Sequence, residues 1–120
     1  MAAALVGSVL GLSSIEIERG VKNLKTIAGR NNIIKENSFT IIDDCYNANP
    51  VSMKESLDVL DTAIGRKVAI LGSMFELGEN EKQMHYDVGM YLGTKDIDVL
   101  ITAGDLAAQI AAGTRAYIEA

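Results

Sequence analysis

Apolar residues recur along the chain at two different periods, and the changes of period mark out the elements. Residues 2–10 are mostly small and apolar and read as a buried helix that ends near Gly11. Ser13-Ser14-Ile15-Glu16 has the spacing of a capping box, in which hydroxyl and carboxylate answer each other's backbone donors. Ile17, Val21 and Leu24 follow at i, i+4 and i+7 and give a second helix its apolar stripe. Gly29-Arg30 ends this segment and marks a domain boundary. Two short β runs come next, 32–35 and 38–44, with Glu36-Asn37 as the turn of a hairpin. Asn49 and Pro50 then open a helix as N-cap and first helical residue. Its stripe is Met53, Leu57, Leu60 and Ile64, with Lys54, Glu55, Asp58 and Asp61 toward water, and Gly65 stops it. Residues 67–71 form a continuous apolar run of the kind buried on both faces of a parallel sheet. After a loop at 72–80, residues 81–92 read as a helix with Met84, Val88 and Tyr91 inward. A third core strand spans 98–102. An alanine-rich helix spans 105–112, with helical continuation from Thr114.

The alternation of strand and helix places the chain in the α/β class. It implies a Rossmann-like, doubly wound, mainly parallel sheet with right-handed crossovers, preceded by a helical stub. Three core strands are few for such a sheet, so the reading expects sequence to be missing at the C-terminus. Opening on a helix that needs burial suggests a cut at the other end too, with Met1 a start codon added to a fragment. Such a helix is expected to seek an apolar partner, so the fragment is expected to self-associate through residues 2–10.

A chain of 120 residues makes one domain, or one domain and a stub. A net charge of −5 argues against a nucleic-acid partner, which needs a basic stripe, and against an anionic membrane surface. The single cysteine, Cys45, leaves no internal disulfide and no multi-thiolate metal site, which fits a reducing cytoplasm. The apolar N-terminus is no signal peptide, since the first basic residue is Arg19. It is also too short for the ~20 residues that span a bilayer.

Polar chemistry concentrates in one strand-to-helix turn, Asp43-Asp44-Cys45-Tyr46-Asn47-Ala48-Asn49-Pro50. In an open α/β sheet such a turn lies at the carboxyl end of a strand, where ligands bind. Its carboxylates either cap the loop or accept hydrogen bonds from ribose hydroxyls or hold a metal. Tyr46 can stack on a base, and Asn47 and Asn49 can donate and accept. Asn49 is first a helix cap, and the helix start also offers N–H groups to an anion. The second candidate is Gly72-Ser73-Met74-Phe75-Glu76-Leu77-Gly78, which leaves the next core strand. Neither a dinucleotide fingerprint nor a G-x-x-x-x-G-K-[ST] phosphate loop occurs. Arg30 at an interdomain cleft could reach a phosphate or ribose. His85, the one histidine, borders an apolar stripe and reads as a satisfied, semi-buried side chain rather than a general base.

These residues carry a resemblance. Asp43 to Pro50, with Ser52-Met53, resembles the D-D-x-Y-N-A-N-P-x-S-M signature of the MurF-type Mur ligases, the UDP-N-acetylmuramoyl-tripeptide–D-alanyl-D-alanine ligases. Leu71-Gly72-Ser73-Met74-Phe75-Glu76-Leu77-Gly78, with His85 and Val88-Gly89 downstream, is similar to their L-G-D-M-x-E-L-G…H…V-G block. Ser73 stands where that pattern has aspartate.

The resemblance implies part of a cytoplasmic three-domain enzyme of peptidoglycan synthesis. ATP phosphorylates the terminal carboxyl of UDP-N-acetylmuramoyl-tripeptide, and the amine of D-Ala-D-Ala attacks the acyl phosphate to give an amide, ADP and phosphate. Residues 1–29 would close the central ATPase domain, and 30–120 would form the C-terminal domain, truncated at its end. Arg30, Asp44, Tyr46, Asn47 and Asn49 would face the nucleotide. Asn49, Ser52, Ser73, Met74, Glu76 and Leu77 would face the dipeptide. The phosphate loop, the catalytic groups and the Mg²⁺ ligands are expected upstream, so this fragment alone is expected to be inactive. Two rivals remain open: a non-enzymatic nucleotide-binding module, and a receiver-like phosphoacceptor domain. The second needs an aspartate ending a later strand, and 68–72 and 100–104 end without one.

Overall fold

The computed structural model describes residues 2–23, 29–30 and 32–120. They fall into two compact units, Met1–Asp43 and Asp44–Ala120. In the first, α1 (Ala2–Val9) packs against α2 (Ser14–Lys22). Gly7 allows the approach, because a methyl there would press on Leu12 and Ile17 at 3.3 Å. The capping box forms as read. Ser13 N–H and Oγ–H donate to the Glu16 carboxylate at 2.8 and 2.7 Å, and Glu16 N–H donates to Ser13 Oγ. Those two donors hold the Glu16 carboxyl below its ordinary pKa. Leu24, the third apolar position expected on α2, lies outside the described residues.

The burial expected for residues 2–10 is not found. Leu5, Val6, Val9 and Leu10 are all more than half exposed, and no residue of α2 is buried. Two short helices have too little surface between them to cover both apolar stripes. β1 (Asn32–Lys35) and β2 (Thr40–Asp43) form the expected antiparallel hairpin, Asn32 opposite Asp43, closed by Glu36 N–H to the Phe39 carbonyl. The hydrogen-bonded partner of β2, one of the three core strands in the sequence reading, is therefore β1.

The second unit runs α3 (Pro50–Asp61), β3 (Val68–Gly72), a 3-10 turn (Gly78–Asn80), α4 (Glu81–Gly93), β4 (Val99–Ala103) and α5 (Ala108–Glu119). β3 and β4 are parallel, in register from Val68 opposite Val99 to Gly72 opposite Ala103, with α4 as the crossover that parallel strands require. The core gathers Met53 and Leu57 of α3, Ala69 of β3, Met74 of the loop that follows, Val88 and Leu92 of α4, Ala107, and Ile110 of α5. Full burial of each large side chain contributes about 1.5–3 kcal/mol. β3 buries one face only: Ala69 points into this cluster, while Val68 and Ile70 are 42% and 69% exposed. The two-faced burial expected of 67–71 is thus one-faced, because α3, α4 and α5 all share the cluster on the Ala69 side. Ile64, expected to extend the α3 stripe, lies past the end of the helix and is fully exposed.

Two contacts fix the helices. α4 and α5 touch through backbone: a Cβ on Gly89 would fall on the Ile110 carbonyl, and one on Gly113 would fall on that of Tyr86. Thr114, buried between them, donates its hydroxyl toward the carbonyls of Gly89 and Ile110, each at 3.0 Å. α3 meets α4 at a polar cluster, where Asp58 accepts from Tyr91 Oη at 2.7 Å and pairs with Lys95 at 2.6 Å. Lys95 also lies over the Tyr91 ring, 4.5 Å from its centroid. Hydrogen bonds from Lys95 and then Tyr91 lower the Asp58 pKa, and the Asp58 bond raises that of Lys95.

Two outcomes follow from these contacts. Gly89→Ala forces backbone apart and should cost about 1–3 kcal/mol or more, read as a lower denaturation midpoint with an unchanged slope. Asp58 has a folded-state pKa below its unfolded value. Its contribution is therefore complete above the unfolded carboxyl pKa of about 3.9 and is lost as pH falls through the lowered one. The stability difference between the native chain and Asp58→Asn should be full at neutral pH and should disappear on acidification below about pH 3.9.

Candidate functional site

The acidic pair at the end of β2 divides its work. Asp43 turns back within the first unit and accepts from Gly29 N–H at 3.0 Å. Asp44, half-buried in the second unit, accepts from the Ser56 hydroxyl at 2.6 Å. Ser56 was not legible as its partner, since nothing in a twelve-residue separation marks it.

Past Asp44 the turn exposes Cys45, Tyr46 and Asn47, with Tyr46 64% accessible. Ala48 packs against the core, which ties the turn to the body of the unit. Asn49 is the N-cap of α3: its Oδ1 accepts from Val51 and Ser52 N–H at 3.0 and 2.9 Å. Ser52 completes the box, its Oγ accepting from Asn49 N–H at 3.1 Å. The Asn49 carbonyl side and the Ser52 hydroxyl, both read as substrate-facing, are therefore already engaged in holding the helix start.

The second loop leaves β3. Ser73 Oγ accepts from Ala107 N–H at 3.2 Å, joining this loop to the one that enters α5. Met74 is fully buried, so its side chain belongs to the core and its backbone alone can take part in a site. Phe75 then turns outward, 75% exposed, and Glu76 is exposed with φ 60°, a left-handed conformation uncommon for a non-glycine residue. Leu77 is half-buried against the same core as Ala48, so one hydrophobic cluster carries both loops. Phe75 is thus a large exposed aromatic in a loop at the carboxyl end of a strand. Arg30 is exposed in the first unit, in the bend after Gly29.

His85 is fully buried, as a satisfied side chain rather than an exposed base. Its Nδ1 lies 2.6 Å from the Glu81 carbonyl and its Nε2 2.8 Å from Met74 N–H. Among the described residues no group of three or more His, Cys, Asp or Glu side chains is placed to hold a metal ion, and no helix is long and apolar enough to cross a membrane.

Comparison with known proteins gives the family. Residues 29–119 match the family described as Mur ligase, glutamate ligase domain. The chain is 35% identical, over 99% of its length, to the UDP-N-acetylmuramoyl-tripeptide–D-alanyl-D-alanine ligase of Bacillus subtilis. It superposes on a crystal structure of MurF from Acinetobacter baumannii with TM-score 0.86 at 34% identity over 95% of its length. A MurF ligase from Thermotoga maritima in complex with ADP shares the fold, with TM-score 0.70 at 24% identity over 98% of this chain and 37% of that one. The chain spans 27% of the Bacillus protein and 25% of the Acinetobacter chain, about a quarter of each.

The cap geometry at Asn49 sets a test that needs no ligand. Asn49→Ala should destabilise the chain by about 1 kcal/mol, whereas Asn49→Asp should keep the cap and most of the stability, measured by thermal denaturation.

Proposed function

We propose, for a chain that belongs to the Mur ligase family through its glutamate ligase domain, that it is the lid of an ATP-dependent, amide-forming ligase. The reaction is the addition of D-Ala-D-Ala to UDP-N-acetylmuramoyl-tripeptide in the cytoplasm. The observation that carries this reading is the match to ligases of that name along nearly the whole chain. In the longer enzyme, residues 1–29 end the central ATPase domain and 30–120 belong to the lid. ATP phosphorylates the tripeptide carboxyl. The dipeptide amine then attacks the acyl carbon, the C–O bond to phosphate breaks, and an amide and free phosphate result. Mg²⁺ supplies charge neutralisation at the phosphates when bound, on residues outside this chain.

The chain's own residues position and shield. Asp44, steadied by Ser56, is proposed to accept from the ribose hydroxyls, with Arg30, Tyr46, Asn47 and the Asn49 amide beside the nucleotide. The second loop faces the dipeptide with Ser73, Glu76, Leu77 and the Met74 backbone, near Asn49 and Ser52. Closure of such a lid aligns amine and acyl phosphate and keeps water away from a hydrolysable intermediate. Apart from its enzyme, the domain is proposed to self-associate through residues 2–10, where Leu5, Val9 and Leu10 stand exposed.

The test is D-Ala-D-Ala-dependent ADP release. The full-length ligase should turn over and the isolated 120-residue chain should not. Asp44→Asn in the full-length enzyme should raise KM for ATP about tenfold, the cost of a weakened charge-assisted hydrogen bond, with KM for the tripeptide unchanged. Dipeptide-dependent turnover by the isolated chain, or an Asp44 variant with native nucleotide affinity, would defeat this reading.

A further inference from the structure

The geometry points to His85 as a positioning residue that sets the shape of the second loop, and so the affinity for the incoming dipeptide. The inference rests on the proposed reading of that loop as dipeptide-facing. Its tautomer follows from its neighbours. A carbonyl can only accept, so the ring nitrogen facing the Glu81 carbonyl at 2.6 Å carries the proton. A backbone N–H can only donate, so Nε2, 2.8 Å from Met74 N, must offer its lone pair. The imidazole is fully buried, with both nitrogens in use.

What it holds is a backbone amide and not a side chain. The Met74 N–H it fixes immediately precedes Phe75, which is 75% exposed, and Glu76, whose φ is 60°. A left-handed non-glycine residue persists only where its surroundings over-determine it. Here three restraints surround it: Ser73 tied to Ala107 N–H, the Met74 amide tied to His85, and the Met74 side chain sunk in the core. The two ties reach different elements, Ser73 to the entry of α5 and the Met74 amide to His85 in the first turns of α4. The outward presentation of Phe75 and Glu76 is therefore built in before any ligand arrives, which reduces the ordering cost at binding.

Two near-isosteric variants separate this role from packing. In His85→Gln the amide oxygen reaches the place of Nε2 and can still accept from Met74 N–H. In His85→Asn the amide reaches only the place of Nδ1 and keeps the Glu81 bond instead. In the full-length ligase, His85→Asn should raise KM for D-Ala-D-Ala about tenfold with KM for ATP unchanged, and His85→Gln should stay within about twofold of native. Amide hydrogen exchange supplies a readout that needs no activity: exchange at Met74 and Phe75 should accelerate in His85→Asn and not in His85→Gln. Equal effects of the two variants on exchange would reduce His85 to packing and overturn the inference. Glu76→Ala and Phe75→Ala serve as the control on the underlying reading. If both leave the dipeptide KM unchanged, the assignment of the loop fails. If either raises it while His85→Asn does not, the positioning role fails and the loop assignment stands.

Discussion

The close approach of α4 and α5 is the constraint on which the second unit depends. Two helices whose backbones touch at Gly89 and Gly113 have no freedom to slide, because any side chain at the crossing would meet a carbonyl. Thr114 converts that proximity into a polar tie. With α4 fixed, Val88 and Leu92 are delivered to the core and His85, one turn before Gly89, is delivered to Met74. A steric fact at two glycines thus reaches the loop that leaves β3.

The two candidate loops share a construction. Each follows a strand and precedes a helix, and each packs apolar side chains against the common core, Ala48 from the first and Met74 and Leu77 from the second. Some of their polar atoms hold structure. Asn49 Oδ1 and the Ser52 hydroxyl bind the start of α3, and Ser73 Oγ binds the entry to α5. Tyr46, Asn47, Phe75 and Glu76 stay exposed. Fixing one set of groups is what gives the other set a defined place, which is how a loop becomes precise enough to orient a substrate.

The elements were legible because their signals are local. The Ser13–Glu16 box, Asn49-Pro50 and the apolar stripe of Met53 and Leu57 are all decided within a turn or two of helix. Burial was less legible because it depends on neighbours. The run 68–71 is apolar throughout, yet Val68 and Ile70 are exposed, as are Leu5 and Val9 on α1. The site followed the same division. Motif residues announced both loops, while the Ser56–Asp44 and Met74–His85 bonds arise from contacts twelve and eleven residues apart that no spacing rule encodes.

Ser73 shows how far such contacts can explain a departure from a family pattern. The MurF-type signature has aspartate there, and loss of a carboxylate from a candidate site would ordinarily suggest lost chemistry. What position 73 does in this fold is accept a hydrogen bond from Ala107 N–H at the entry to α5. Gly104 makes room for it: a Cβ there would lie 2.5 Å from Ser73 Oγ, and its φ of 101° suits glycine in any case. A hydroxyl and a carboxylate are both acceptors at that reach, and the carboxylate would add charge near a helix N-terminus. Serine therefore keeps the tie between the loops, so the loop that His85 fixes from one side remains fixed from the other.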